Sequence, residues 1–279
     1  MNIRTLFIIF VGVLTLMACG DKRKEGDRNT NLAISYSKPA EGDSTLYGLA
    51  CPGCTDSAVI VLPDSGGDPV KYDILRATKK RRVYGGLKTG DWIGVVPDNE
   101  NPAEAYLVID LDDLKGTWTY SVMPSLRDVT GLSKRQQERI LAQMPDSIVE
   151  TYMVPREYGF TLKRQSQARS VGFVMQSSTA TDDSPVVYPE VPNVSEWHVF
   201  NGRLILTRKE ITTSGDAQDA VTYNDTLQFV FLRDDSLVLR SKDGSITGYH
   251  RRKDAASANA AARAANKKQE EAATRELNK

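Results

Sequence analysis

The chain has 279 residues, and its 36 lysines and arginines are balanced by 36 aspartates and glutamates. A net charge of zero, without a basic stripe interleaved with aromatic residues, argues against nucleic acid as a partner. About 260 residues remain once an N-terminal signal is set aside, which is enough for two modest domains.

Residues 1–18 have the pattern of an export signal that ends at a cysteine. Arg4 supplies the positive charge, and residues 6–16 form an apolar stretch about half as long as the ~20 residues that span a bilayer. The segment Leu16-Met17-Ala18-Cys19 resembles a bacterial lipobox, which implies a lipoprotein signal peptide at 1–18 and acylation of Cys19. An ordinary secretory signal followed by an incidental cysteine is the alternative.

This resemblance implies a lipoprotein that is anchored in the cell envelope through acyl chains such as palmitate. Each buried CH₂ contributes about 0.8 kcal/mol, so two or three chains hold a protein firmly on a membrane. Gly20, where an aspartate would favour retention at the inner membrane, leads us to expect the outer membrane, with the periplasmic or surface leaflet left open. The polar residues 19–44 predict a lipidated flexible tether.

Short β-rich runs separated by turn residues begin at Thr45. Their glycines suit the bulges and corners of a tightly curled sheet. We therefore predict a small β-barrel domain at 45–114, OB-like or SH3-like. The predicted strands cover residues 45–50, 57–62, 70–77, 83–96 and 105–111.

Cys51 and Cys54 are the two cysteines that remain after Cys19, and Pro-Gly stands between them. In an oxidising compartment this turn favours a structural disulfide between Cys51 and Cys54. A redox-active dithiol and a zinc site are the alternatives, but strand-like sequence lies on both sides and no second cysteine pair exists.

A second run of strands, preceded by one helix, follows at 115–253. Ser133 is the predicted N-cap of a helix over residues 134–144, with Gln136 as its capping-box partner. Hairpins at regular short spacing favour an antiparallel meander that closes on itself, so the predicted fold class is mainly β. The predicted strands cover residues 158–163, 170–175, 194–200, 204–212, 227–233, 236–241 and 246–251.

Short motifs recur in a fixed order along this second domain. They are Gly116-Thr117-Trp118, residues 158–162, Trp197, and residues 202–206, 225–227, 235–239 and 248–252. In order and spacing they resemble the lipocalin-like domains of Bacteroidota-type lipoproteins. The resemblance implies an antiparallel β-barrel and no established activity. In such a barrel we expect Trp118 to plug one end and to stack on Arg251 or Arg252.

Other candidate chemistry is weaker. Asp110, Asp112 and Asp113 could bind calcium, but a solvated strand end explains them more simply. No nucleophile elbow occurs, and the two histidines lie in strand-like sequence, so we expect no enzyme, no metal and no cofactor. The basic run at 79–82 could touch anionic headgroups, with a solvated loop as the default.

The leading functional hypothesis is a binding module whose barrel holds a small apolar or amphipathic ligand. An envelope interaction protein with side-chain-filled barrels is the alternative, and the Ala-rich charged tail at 254–279, a helical or disordered extension, would meet its protein partner. A thiol–disulfide protein using Cys51 and Cys54 is the third. The predicted inward-facing residues are Val171, Phe173, Leu204, Leu206, Phe229 and Phe231.

Overall fold

The computed structural model of the chain describes residues 40–127, 131–143, 145, 152–172, 186–214, 217–260, 262–265, 267–268 and 271. The predicted signal peptide, Cys19 and most of the tether lie outside these residues. Within the described part of the chain, no helix has the length and hydropathy needed to cross a membrane.

The first sheet has six strands in the order β3-β2-β1-β5-β6-β4, antiparallel except for the β4–β6 pair. A bridge between Asp73 and Glu104 joins the end of β3 to the start of β6, so the sheet curls into the predicted small barrel-like form. Its strands are β1 Leu46–Ala50, β2 Ala58–Pro63, β3 Val70–Asp73, β4 Val83–Tyr84, β5 Trp92–Pro97 and β6 Ala105–Asp110.

Alternate residues of these strands form the core of the first sheet. Val59 and Val61 on β2 meet Ile93 and Val95 on β5, and all four are fully buried. This is the period-2 burial that the β-branched runs predict. The predicted strand at 70–77 is wrong beyond Asp73, because the short helix α1, Leu75–Lys79, follows it and buries Ala77.

A one-turn helix, α2 (Leu111–Leu114), joins the two sheets, and Asp110 is its N-cap. The Asp110 carboxylate accepts hydrogen bonds from the backbone N–H groups of Asp112 and Asp113, at 3.0 and 2.9 Å. Asp110 is fully buried. The prediction of a solvated strand end is therefore wrong for this residue, because the carboxylate caps a helix.

The second sheet has eight antiparallel strands in the order β10-β9-β7-β16-β15-β14-β13-β12. Its edges meet where Gln167 bridges Glu196 and the Trp197 N–H donates to the Ser166 carbonyl at 2.8 Å. The result is a nearly closed barrel, as predicted. Its strands are β7 Gly116–Val122, β9 Arg156–Leu162, β10 Ala168–Val171, β12 Val194–Phe200, β13 Arg203–Ser214, β14 Ala217–Arg233, β15 Ser236–Arg240 and β16 Ile246–Arg252.

The connection between β7 and β9 and the segment before β12 add a small satellite unit. Strands β8 (Ser125–Leu126) and β11 (Val186–Val187) pair with each other, and the predicted helix is present as α3, Lys134–Gln143. Gln136 accepts the Ser133 backbone N–H at 3.0 Å, which confirms the predicted helix start. Leu126 and Val186 form the buried centre of this unit.

The first sheet closes one end of the barrel. Tyr84 on β4 donates its hydroxyl to the Phe229 carbonyl at 2.8 Å, and Tyr47 on β1 donates to the Val199 carbonyl at 2.7 Å. One apolar cluster contains Leu107 of the first sheet together with Trp118 and residues of the other barrel strands. The described residues from Ala40 onward form one compact unit, in which the two sheets share this cluster. The division into two domains at residue 114 stays a prediction.

The start of the C-terminal segment packs on the barrel. Asn259 lies beside β9, accepting the Glu157 N–H at 2.6 Å and donating to the Glu157 carbonyl at 2.7 Å. Ala258 and Ala262 are also buried. Part of the predicted helical or disordered tail, at Ala258, Asn259 and Ala262, is therefore buried, because small side chains let the backbone approach the strand closely.

Candidate functional site

The barrel interior changes from apolar to polar along its axis. Residues directly opposite each other on neighbouring antiparallel strands point to the same face, so the register identifies the inward-facing side chains. At the end covered by the first sheet these are Trp118, Phe160, Leu204 and Leu237, all buried. Toward the other end the inward positions become polar, and we call them the mouth cluster: Tyr120, Tyr158, Thr247, Tyr249, Arg208 and Asp225.

Tyrosines form one side of the mouth cluster. The Tyr120 and Tyr249 rings meet edge to face with centroids 5.4 Å apart, and Tyr249 also contacts Phe160 at 5.1 Å. Burial raises the pKa of Tyr249 to about 12, with Tyr120 adding to the shift. Both hydroxyls are therefore neutral at physiological pH, which allows each to donate or accept a hydrogen bond.

An ion pair forms the other side. Arg208 Nη2 donates to Asp225 Oδ1 at 3.0 Å, while Arg208 Nε lies 2.7 Å from Asp225 Oδ2. The Nε–H makes no well-directed hydrogen bond, so we count its contact as an ion pair only. The two side chains are roughly one-third exposed, which places the pair where water enters the barrel.

Exposure increases from the covered end to the mouth, except at Tyr158, which is buried. Trp118 is fully buried, Tyr120 and Tyr249 are partly buried, and Tyr223, the residue opposite Arg208, is 44 % exposed. Tyr223 lies on the long β13–β14 hairpin, which continues beyond the last pairing with β12 at Arg208. The inward-facing side chains are thus apolar at the covered end, which we call the floor, and aromatic and polar at the mouth.

The predicted stacking contact is present at the floor of the barrel. Arg251 Cζ lies 4.3 Å from the Trp118 ring centroid, so Arg251 rather than Arg252 covers the indole. Arg251 also donates to the carbonyls of Lys115 and Asp113, at 2.8 and 2.5 Å. A Cβ at Gly116 would lie 2.7 Å from Arg251 Nη1, which explains the glycine that opens β7.

The predicted inward-facing set is partly confirmed. Leu204, Leu206 and Phe229 lie in the barrel cluster. Phe231 is 46 % exposed, and the prediction is wrong there because a bulge between Phe229 and Phe231 shifts the alternation. Val171 is buried, but the prediction is wrong there, because it lies opposite Gly159 and so on the other face of the sheet from Phe160. Phe173 lies outside the described residues.

The predicted cysteine site is a turn between β1 and β2. The structure has Cys51 and Cys54 as free, partly exposed thiols. Cys54 Sγ lies 3.2 Å from the Cys51 carbonyl and accepts the Ile60 N–H at 3.4 Å. The disulfide stays a prediction.

The carboxylates of the acidic cluster accept hydrogen bonds from backbone N–H groups. Asp110 Oδ2 accepts the Leu87 N–H at 3.0 Å, Asp113 accepts the Gly86 N–H at 2.7 Å, and Asp112 accepts the Trp92 N–H at 2.6 Å. Burial raises the pKa of Asp110 to about 7, and the neighbouring Asp113 adds to the shift. In the described part of the chain, no group of three or more histidines, cysteines or acidic residues is arranged to hold a metal ion.

The mouth cluster was absent from the sequence prediction. Its residues are single polar positions within strands, where they read as outward-facing. A signal that could have identified them is an even number of residues between each polar position and a core residue on the same strand. Arg208, for example, lies two and four residues after Leu206 and Leu204, and so on the same face. His198 and His250 are both exposed, in line with the absence of any role proposed for them.

Comparisons with known proteins add little to this picture. No protein-family description matches the chain, and no curated protein does. A solved lipocalin-like protein from Bacteroides thetaiotaomicron VPI-5482 is 20% identical, with a TM-score of 0.25, over 50% of this chain and 95% of that one. A TM-score this low supports no inference, so the fold assignment rests on the strand order described above.

Proposed function

We propose that the protein is a non-enzymatic binding module of the cell envelope, anchored by lipid at Cys19, whose barrel takes a small amphipathic ligand. The observation that carries this proposal is the polarity gradient inside the barrel. Apolar side chains line the floor, whereas Tyr120, Tyr249 and the Arg208–Asp225 pair line the partly exposed mouth. An eight-stranded barrel is either filled by its own side chains or holds one small ligand, and we propose the second.

The gradient favours a ligand with an apolar body and a polar end. An apolar body would contact the floor near Phe160, where burial contributes about 25 cal/mol per Å². A polar end would remain at the mouth, where tyrosine hydroxyls and the Arg208 guanidinium offer donors. A wholly apolar ligand would leave the ion pair desolvated without new hydrogen bonds, which is costly.

The mouth is testable with a fluorescent amphipathic probe, 1-anilinonaphthalene-8-sulfonate. We expect saturable one-to-one binding by the full chain, weakened about tenfold by Tyr120→Ala, because an aromatic contact is lost. Phe231→Ala is the matched control, since Phe231 is an exposed aromatic residue of a barrel strand that lies outside the apolar cluster. Binding that is absent, or equal in both variants, would refute the barrel as the site.

The natural ligand can be sought separately. Native mass spectrometry of protein purified gently from envelope extract should show a stoichiometric adduct that leaves on denaturation. The adduct should be missing in Tyr120→Ala and present in Phe231→Ala. Adducts of equal abundance in both variants would place the ligand elsewhere.

The lipid anchor has its own test. Cys19→Ala should leave an unprocessed precursor without acyl chains, because the thiol is the acyl acceptor. Acylated, normally processed protein from this variant would refute anchoring at Cys19. A failure here would leave the barrel proposal intact, since the barrel begins at β7.

A further inference from the structure

A recess on the first sheet is lined mainly by cationic side chains. It has a volume of about 190 Å³ and lies between α1, the end of β5 and the start of β6. Ala77 and Ala105 form its floor, and both are buried. Two alanines at facing positions leave a recess because no longer side chain fills the space between the helix and the strand. The walls are Arg76, Lys80, Arg82, Asp98 and Tyr106.

Arg82 is held in place before any ligand arrives. Its guanidinium Cζ lies 4.0 Å from the Tyr106 ring centroid. Its backbone is fixed as well, because the Arg82 N–H donates to the Ala77 carbonyl at 2.8 Å and the Val108 N–H donates to the Arg82 carbonyl at 3.0 Å. Stacking occupies the flat face of the guanidinium and leaves its N–H edge available for an oxyanion.

Cationic side chains outnumber carboxylates around the recess. Three cationic side chains line it, against one carboxylate, Asp98. Arg76 lies 3.9 Å from that carboxylate and is 57 % exposed, so this ion pair is long and easily exchanged. The Asp98 carboxylate also accepts a hydrogen bond from the Glu100 N–H at 3.0 Å. This hydrogen bond is the main reason that the pKa of Asp98 is lowered. An incoming anion would therefore not leave Asp98 without partners.

The turn after α1 places a non-glycine residue in the left-handed backbone conformation, which is energetically unfavourable. The Arg81 N–H donates to Thr78 and the Arg82 N–H to Ala77, which is the hydrogen-bond pattern of a Schellman motif. Glycine is the usual residue at the left-handed position, yet Arg81 occupies it with φ 55°. The motif turns the chain back so that Arg82 lines the recess, while the Arg81 side chain is exposed.

We propose that this recess binds a phosphate-bearing anion. A phosphate group is small enough for 190 Å³, and its oxygens match the planar donor edge of Arg82 together with the more mobile Arg76 and Lys80. The same chemistry is offered by free phosphate and by the headgroup of an anionic phospholipid. The site is independent of the barrel proposal, because no residue of the mouth cluster lines it.

The test uses the full chain and calorimetric titration with three probes. They are inorganic phosphate, dihexanoyl phosphatidylglycerol below its micelle concentration, and dihexanoyl phosphatidylcholine at the same concentration. Saturation by phosphate alone assigns the site to free phosphate, and saturation by phosphatidylglycerol but not phosphatidylcholine assigns it to an anionic headgroup. Absence of saturable binding to phosphate and to phosphatidylglycerol, or equal binding of the two lipids, overturns the proposal.

Variants locate the binding. We expect Arg82→Gln and Arg76→Gln each to weaken it about tenfold, because each removes a charge-assisted hydrogen bond. Because the Arg76 side chain is exposed, we expect Arg76→Gln to leave the fold of the first sheet unchanged. Arg240→Gln, an exposed arginine on the barrel, is the matched control and should bind like the parent. Equal affinity of the Arg76, Arg82 and Arg240 variants also overturns the proposal.

Discussion

Arg251 and Arg252 are adjacent on β16, yet their environments predict that substituting them will lower the stability of the fold by very different amounts. Arg251 donates to the Lys115 and Asp113 carbonyls and covers the buried Trp118 ring. Arg252 instead pairs with Glu157 at 2.6 Å, with its side chain 41 % exposed. Replacing each arginine by methionine keeps most of the aliphatic length and removes the donors.

The expected magnitudes follow from these contacts. A hydrogen bond to a charged group contributes about 1.5–3 kcal/mol, and a cation–π contact about 1 kcal/mol. Because the contacts share one side chain, they do not add fully, so we expect Arg251→Met to lower the free energy of unfolding by about 3–4 kcal/mol. For Arg252→Met we expect about 1 kcal/mol or less, the range of an exposed ion pair.

The assay is urea unfolding of the full chain followed by tryptophan fluorescence. Trp92 reports on the first sheet, and Trp118 and Trp197 report on the barrel. We expect both sheets to unfold together in the parent, because they share one apolar cluster. Equal losses in the two variants, or a loss below about 1 kcal/mol for Arg251→Met, would refute the role assigned to Arg251.

Three further outcomes are expected from the same assay. The raised pKa of Asp110 means that the folded state binds its proton more tightly than the unfolded state, so the free energy of unfolding should fall by up to about 4 kcal/mol between pH 4 and pH 7.5. Asp110→Asn should flatten this dependence; an unchanged pH profile in the variant would contradict the assignment. Tyr84→Phe should cost about 1–2 kcal/mol, because the buried Phe229 carbonyl loses its donor, and a neutral result would mean that water replaces it. Arg81→Gly should stabilise the chain by about 0.5–1 kcal/mol by relieving the left-handed conformation, whereas destabilisation would show that the side chain contributes to folding.

The strands and the barrel were predictable because their core positions alternate with period 2. Leu204 and Leu206 follow directly from that pattern. The Phe231 error shows its limit, since one bulge reverses the faces and nothing in a single sequence marks the extra residue.

The sites were less predictable than the fold. Lys80 and Arg82 were noted as part of a basic run, but the recess depends on Tyr106, which lies 24 positions after Arg82 in the sequence. Arg208 and Asp225 likewise meet only because β13 and β14 pair in one register. Chemistry that arises from pairing between distant strands leaves no local signal.

The contact between Asn259 and Glu157 has a practical consequence for anyone shortening or tagging this chain. The Asn259 amide occupies the backbone groups of Glu157 at a point where β9 extends past its pairing with β10. A variant cut after residue 253 would present those groups as a bare strand edge, to which a second molecule could add. Such a variant should self-associate at concentrations where the full chain stays dispersed, so a purification tag belongs beyond the helical residues 262–265.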